Sequence, residues 1–149
     1  MRRAFLLVAC LVCLSFGVFL GSFLTYSIMQ WRREIPCKAT VKAFGVDLYE
    51  DINFTVPITE IDWGLVEPGQ TKNFSAYIVS KSNVPVTLTM TTENWNPTNA
   101  SDFITLTWSH EAAEIAVDGY VFATFVLTVD EAISGITTFT FTIIIIGSG

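Results

Sequence analysis

Val86-Thr87-Leu88-Thr89-Met90-Thr91-Thr92-Glu93 decides the fold class. Val86, Leu88 and Met90 point one way, while Thr87, Thr89, Thr91 and Glu93 point the other. Side chains of a strand alternate between faces with a period of two, so this segment predicts an antiparallel strand with one buried face. The same period extends in both directions. Upstream, Phe74, Ala76 and Ile78 share a face, as do Ile61, Trp63 and Leu65, and before them Phe44, Val46 and Leu48. Downstream, Ile104, Leu106 and Trp108 form an inward set. Tyr120 to Val129 is apolar on both faces and predicts a central strand. Ile136 to Ile146 closes the series, with Phe139, Phe141, Ile143 and Ile145 on one face.

The punctuation fits. Glu67-Pro68-Gly69-Gln70 predicts a type II turn, in which proline presets φ at the second position and glycine takes positive φ at the third. Lys81-Ser82-Asn83 reads as a turn, Asn94-Trp95-Asn96-Pro97-Thr98-Asn99 as a loop, and residues 109–118 as a connection. Seventeen threonines after residue 34 favour pleated, half-buried surfaces. No eleven-residue window there has convincing helical spacing. Seven short strands separated by regular turns predict an all-β chain, a seven-stranded immunoglobulin-like antiparallel sandwich over residues 35–149. An eight-stranded jelly roll is the alternative. Trp63, Trp95 and Trp108 supply large core pieces, and Gly64, Pro68 and Gly69 shape the backbone between strands.

Residues 1–34 are different in kind. Residues 4–31 carry no charge, and as a helix they would reach about 42 Å, more than the roughly 30 Å of a hydrocarbon core. Tyr26 and Trp31 sit where aromatic side chains favour headgroups, and Arg32 and Arg33 stop the segment. We expect one N-terminal transmembrane helix through which the chain meets the membrane, with a cleaved signal as the other reading. Gly17 and Gly21 form a GxxxG pair that could bring two such helices together. Arg3-Ala4 before an apolar helix resembles the short processing signal of archaeal type IV pilins, although the usual polar residue just inside the helix is missing. Leu7-Val8-Ala9-Cys10 has the form of a lipoprotein box, but too few residues precede it.

The chain has 149 residues and a mass of 16.5 kDa, with 51% hydrophobic and 15% charged residues and a mean hydropathy of +0.51. Soluble domains carry about 25% charged residues. So apolar a chain is not disordered. Residues 35–149 hold four lysines, no arginine and thirteen acids, a net charge of −9. Nucleic acid is a poor partner for such a body, because phosphate contacts need clustered lysine and arginine. Flanking charge leaves the orientation of the anchor near a tie. Three sequons, at Asn53, Asn73 and Asn99, and the lysine-poor β composition point to an extracytoplasmic body at the cell membrane.

Ile61-Asp62-Trp63-Gly64-Leu65-Val66-Glu67-Pro68-Gly69, then Tyr77 to Val86, Asn94-Trp95-Asn96-Pro97 and Trp108, resemble small membrane-anchored archaeal surface proteins with one immunoglobulin-like domain. The resemblance covers most of residues 40–149. It implies a fold and a compartment and carries no catalytic residues over.

The residues offer little chemistry. His110 is the single histidine, which is too few for a blue-copper or histidine-based zinc site. Ser109-His110-Glu111 is contiguous, whereas triads are assembled from distant segments, and neighbours on a strand face opposite ways. Asp47, Glu50, Asp51, Glu60 and Asp62 lack the alternating spacing of a calcium loop and read as solvated acids. Cys37 is alone in the body, so it is an unpaired thiol or bridges to another chain. No catalytic residue, metal site or cofactor is expected. The expected role is structural or protein-binding at the cell surface, with an unknown protein partner or self-association. The alternative is a filament subunit, pilin-like or built by exchange of the last strand. That strand, Phe139 to Ile146, must be covered by its own domain or donated to a neighbour, because an uncharged β-rich segment left open aggregates.

Overall fold

The computed structural model describes residues 34–149. The expected membrane helix over residues 4–31 and the glycine pair Gly17 and Gly21 lie outside the described residues. Among the described residues no helix is long and apolar enough to cross a membrane.

Those residues form nine strands: β1 Ile35–Phe44, β2 Val46–Tyr49, β3 Glu60–Val66, β4 Thr71–Ser80, β5 Val86–Asn96, β6 Ile104–Trp108, β7 Glu114–Ile115, β8 Tyr120–Val129 and β9 Phe139–Ser148. A 3-10 turn spans Thr98–Asp102. The strands build two sheets, in the orders β3-β1-β9-β5-β7 and β2-β4-β8-β6. The chain is therefore an all-β, two-sheet sandwich, as expected. The count of seven strands is corrected to nine. The all-antiparallel expectation is also corrected, because β1 runs parallel to β9 over Cys37–Phe44 and Phe139–Ile146.

The parallel pair and one of the two added strands come from the first strand, and the other added strand is the two-residue β7 within the 109–118 connection. Cys37, Ala39 and Val41 are buried and alternate with exposed Lys38, Thr40 and Lys42. The period is two, but after Ile35 the inward residues are Cys37, Ala39 and Val41, without the leucine, isoleucine or aromatic residues that announce the later strands. Gly45, with φ of +73°, then breaks the run. The expected Phe44, Val46, Leu48 face is split there: Phe44 is 55% exposed, while Val46 and Leu48 are buried in the other sheet.

The core lies between the sheets. Phe139, Phe141, Ile143 and Ile145 of β9, Leu88 of β5 and Ile61 of β3 meet Ile78 of β4 and Phe125 and Leu127 of β8 in one buried cluster. Each such side chain contributes about 1.5–3 kcal/mol on leaving water. β9 lies between β1 and β5 of its own chain, so its apolar segment is paired on both edges. β8 lies between β4 and β6, central as its sequence predicts.

The structural residues explain the local turns. Gln70 N–H donates to the Glu67 carbonyl at 3.0 Å and Gly69 has φ of +76°, as the type II turn requires. Trp63 is inward and buried, and its pairing with β1 slips by one residue between Cys37 and Lys38. Gly64, with φ of +65°, absorbs that bulge, and the Asp62 carboxylate accepts its N–H at 2.8 Å. Asn94 to Asn96 correct the loop expectation. They continue β5, where Asn96 pairs with Thr140 and the Trp95 ring stacks on Phe141 at 4.3 Å. Trp108 is half-buried and stacks on Phe125 at 5.8 Å.

Ile35 pairs with Val66, beside the Glu67–Gln70 turn that leads into β4. The start of β4 and the end of β8 therefore lie at the Ile35 end of the sandwich. Ser80, Val46 and Tyr120 lie at the opposite end.

Candidate functional site

The feature that most departs from an ordinary sandwich surface is on the outer face of the second sheet. Ala76 and Ile78 of β4 point inward, so alternation sends Tyr77 outward. Register then places Tyr49 of β2 on one side of Tyr77 and Phe122 of β8 on the other. The Tyr77 and Phe122 rings are 4.7 Å apart. Phe54 joins them from the loop after β2, at 5.3 Å from Tyr120, 5.7 Å from Tyr49 and 6.2 Å from Tyr77. The rings are tilted or edge-on to one another, the arrangement that aromatic quadrupoles favour. Phe122 and Tyr120 are 51% and 49% exposed. Five aromatic rings thus form a contiguous, half-open surface at the end of the sheet remote from Ile35.

The Phe54 loop is built to present its ring. Asp51 accepts the Asn53, Thr55 and Val56 N–H groups and the Thr55 hydroxyl. Partial desolvation works against the Asp51 carboxylate, but these bonds prevail and hold its pKa below the usual carboxylate range. Phe54 sits at φ of +57°, a left-handed conformation that costs a residue with a side chain about 1–2 kcal/mol.

Lys81 borders the cluster. Its Nζ is 3.5 Å from the Asp47 carboxylate and 5.7 Å from the centre of the Tyr49 ring. An open depression of about 500 Å³ runs on from Phe54 past Val79, Lys81, Asn83, Val117 and Asp118. The other half of this face is polar: Ser75 bonds Thr124 at 3.1 Å and Thr71 bonds Thr128 at 3.3 Å.

The sequon asparagines are all exposed. Asn53 is in the Phe54 loop, Asn73 is on the outer face of β4 between Thr71 and Ser75, and Asn99 is in the 3-10 turn. The structural set does not converge on a site. Trp63, Gly64, Pro68 and Gly69 serve the β3–β4 corner, while Trp95 and Trp108 pack against Phe141 and Phe125.

Ser109-His110-Glu111 needs a correction. These residues lie in a turn after β6, so strand alternation does not separate them, and Ser109 Oγ is 2.7 Å from His110 Nδ1. Glu111 turns elsewhere and accepts from Trp108 Nε1 at 2.6 Å and from the Met90 N–H at 3.4 Å. Cys37 is buried, with 1% of its surface exposed, and burial, with Asp62 adding, pushes its pKa up to about 12. A bridge to another chain has no access to that thiol. Among the described residues no group of three or more histidine, cysteine or acidic side chains is placed to hold a metal ion.

The sequence carries a sign of the aromatic face, since Tyr77 alternates with Ala76 and Ile78 and Tyr120 to Val129 is apolar on both faces. What period alone could not supply was the register that places Tyr49, Tyr77 and Phe122 in one row across three strands.

No protein-family model matches this sequence, and no match is found among curated proteins or solved structures.

Proposed function

We propose that this chain is a membrane-anchored, extracytoplasmic immunoglobulin-like module with a protein-contact role at the cell surface. The observation that carries the reading is the half-open aromatic face formed by Tyr49, Phe54, Tyr77, Tyr120 and Phe122. Exposed aromatic side chains in contiguous patches mark contact surfaces, because a monomer gains nothing by leaving them in water. The face lies at the end of the body remote from Ile35. The uncharged stretch 4–31 supports the anchor, and the exposure of Asn53, Asn73 and Asn99 supports the outside. The likeness of the Ile61–Gly69 run to archaeal surface proteins supports the same compartment. The alternative, a pilin-like filament subunit, draws its support from Arg3-Ala4 ahead of the apolar stretch.

Protease added to intact cells tests the reading. Release of the body beyond about residue 35, with the N-terminal stretch kept in the membrane fraction, is expected. A body that is protected in intact cells and digested only after lysis overturns it. Cleavage after Ala4 together with sedimenting fibres favours the filament.

A further inference from the structure

The aromatic face has an electrostatic character of its own. Asp47, Glu50, Asp51 and Asp118 stand on the strands and loops that carry its rings, with Lys81 as the basic residue among them. Lys81 offsets Asp47, which leaves three carboxylates in excess. The other lysines of the described residues are engaged elsewhere. Lys38 pairs with Glu60 and Asp62, Lys42 with Glu93, and Lys72 with the Trp63 and Leu65 carbonyls. No cation of the body is therefore free to cover this face. Aromatic faces carry negative quadrupole density, so open rings and uncompensated carboxylates attract the same kind of partner. Lys81 over Tyr49 is an internal instance of the contact.

We propose that the Tyr77–Tyr120–Phe122 face docks a basic polypeptide segment of a partner protein, its arginine or lysine side chains lying on the rings and their charged heads meeting Asp118 and Glu50. The inference rests on the reading of the body as a surface contact module. Charge complementarity selects this occupant. A second copy would bring the same excess of carboxylates and be repelled. A neutral saccharide would use the rings and leave the carboxylates without a role. The depression from Phe54 to Asp118 gives the segment a path off the rings.

The full chain in non-ionic detergent is titrated into a fluorescent peptide of alternating glycine with arginine or lysine, and into its glycine–glutamate counterpart. Fluorescence anisotropy is read at about 20 mM and about 200 mM salt. Binding of the basic peptide alone, weakened about ten-fold at the higher salt, is expected. Phe122→Ser with Tyr120→Ser, and separately Asp118→Asn, should each weaken it about five-fold or more. Asparagine tolerates the φ of +56° at position 118, so the unfolding midpoint should hold in Asp118→Asn, while the double serine variant loses half-buried ring contacts and should unfold at a lower midpoint but remain folded under the binding conditions. Thr105→Ala on the polar half should change nothing.

Equal binding of both peptides, variants that bind like the parent, or salt-insensitive binding of a neutral oligosaccharide at these rings overturns the proposal. Loss of peptide binding with the body outside the cell sinks this inference alone. A protected body in intact cells sinks the surface reading and leaves the peptide result standing.

Discussion

Lys72 reaches out of β4 and donates from Nζ to the main-chain oxygen of Trp63 at 2.8 Å, and to that of Leu65 beside it. Trp63 and Leu65 belong to β3, an edge strand of the other sheet. One ammonium therefore ties the two sheets together and occupies acceptors that an incoming strand could use. Edge strands with open polar groups template aggregation, and lysine is a common guard.

Lys72→Met keeps the stem and removes the donor. Hydrogen bonds to charged groups are worth about 1.5–3 kcal/mol, and partial exposure reduces that, so a loss of about 1–2 kcal/mol is expected. Light scattering after mild heating should rise sooner in the variant. An unchanged urea midpoint with unchanged scattering would show that water replaces the lysine at no cost.

Trp63 separates two effects in one side chain. Its ring is buried against Phe74 at 6.1 Å, yet its Nε1 is buried with no hydrogen-bond partner among the described residues. Trp63→Ala opens a cavity and should cost about 3–5 kcal/mol. Trp63→Phe leaves a smaller gap and relieves an unsatisfied donor, itself a penalty of about 1–3 kcal/mol. The phenylalanine variant should therefore fall within about 1 kcal/mol of the parent. A loss as large as that of the alanine variant would mean that Nε1 has a partner in solution.

The sequence makes β4, β5 and β6 legible by alternating large apolar residues with threonine or other polar residues, β8 by a run apolar on both faces, and β9 by a Phe-Thr alternation that passes into four isoleucines. It hid β1, where cysteine, alanine and valine fill the inward positions, and β7, which is two residues long. The Asn94–Asn99 loop expectation holds for Pro97 to Asn99 and fails at Asn94 to Asn96, where composition favours a turn but the Trp95–Phe141 stack favours strand. The parallel β1–β9 pair brings together residues about a hundred positions apart, and no local period encodes such a pairing. The aromatic face was hidden for the same reason, since its rows run across strands.

Gly45 and Gly69 both have positive φ, near +75°, but their neighbours differ. A Cβ at Gly69 would stand 2.7 Å from Glu131 Cγ, the middle of a flexible side chain that can swing away. A Cβ at Gly45 would stand 2.6 Å from the Gly147 carbonyl oxygen, which β9 holds in place. Gly69→Ala should cost about 1–2 kcal/mol, the left-handed penalty alone. Gly45→Ala should cost more, because the end of β9 must also shift. Gly69→Val adds β-branching and should exceed Gly69→Ala. Equal midpoints for the two alanine variants would show that β9 yields near Gly147 as easily as Glu131 does.

Cys37 makes stability depend on pH at the alkaline end. Its thiol is buried on β1, and desolvation, with Asp62 adding and Lys72 opposing, raises its pKa from 9.0 to about 12. The fold thus holds the neutral thiol, while the unfolded chain ionises near 9. Between those values the unfolded state binds fewer protons than the native state, so stability falls as pH rises. The contribution is complete below pH 9.0 and is lost as pH climbs toward 12. Urea midpoints measured from neutral pH upward should therefore decline above about pH 9. Cys37→Ala lacks the titrating group and should decline less steeply from a lower start, because a buried sulfur has been removed. Lysine and tyrosine titrations are common to both proteins and cancel in the comparison. Alkylation at Cys37, mapped by mass spectrometry, should stay slow until denaturant opens the sandwich. Parallel pH curves for the two proteins, or rapid alkylation of Cys37 in the native chain, would place the thiol in contact with water and overturn the burial on which this prediction stands.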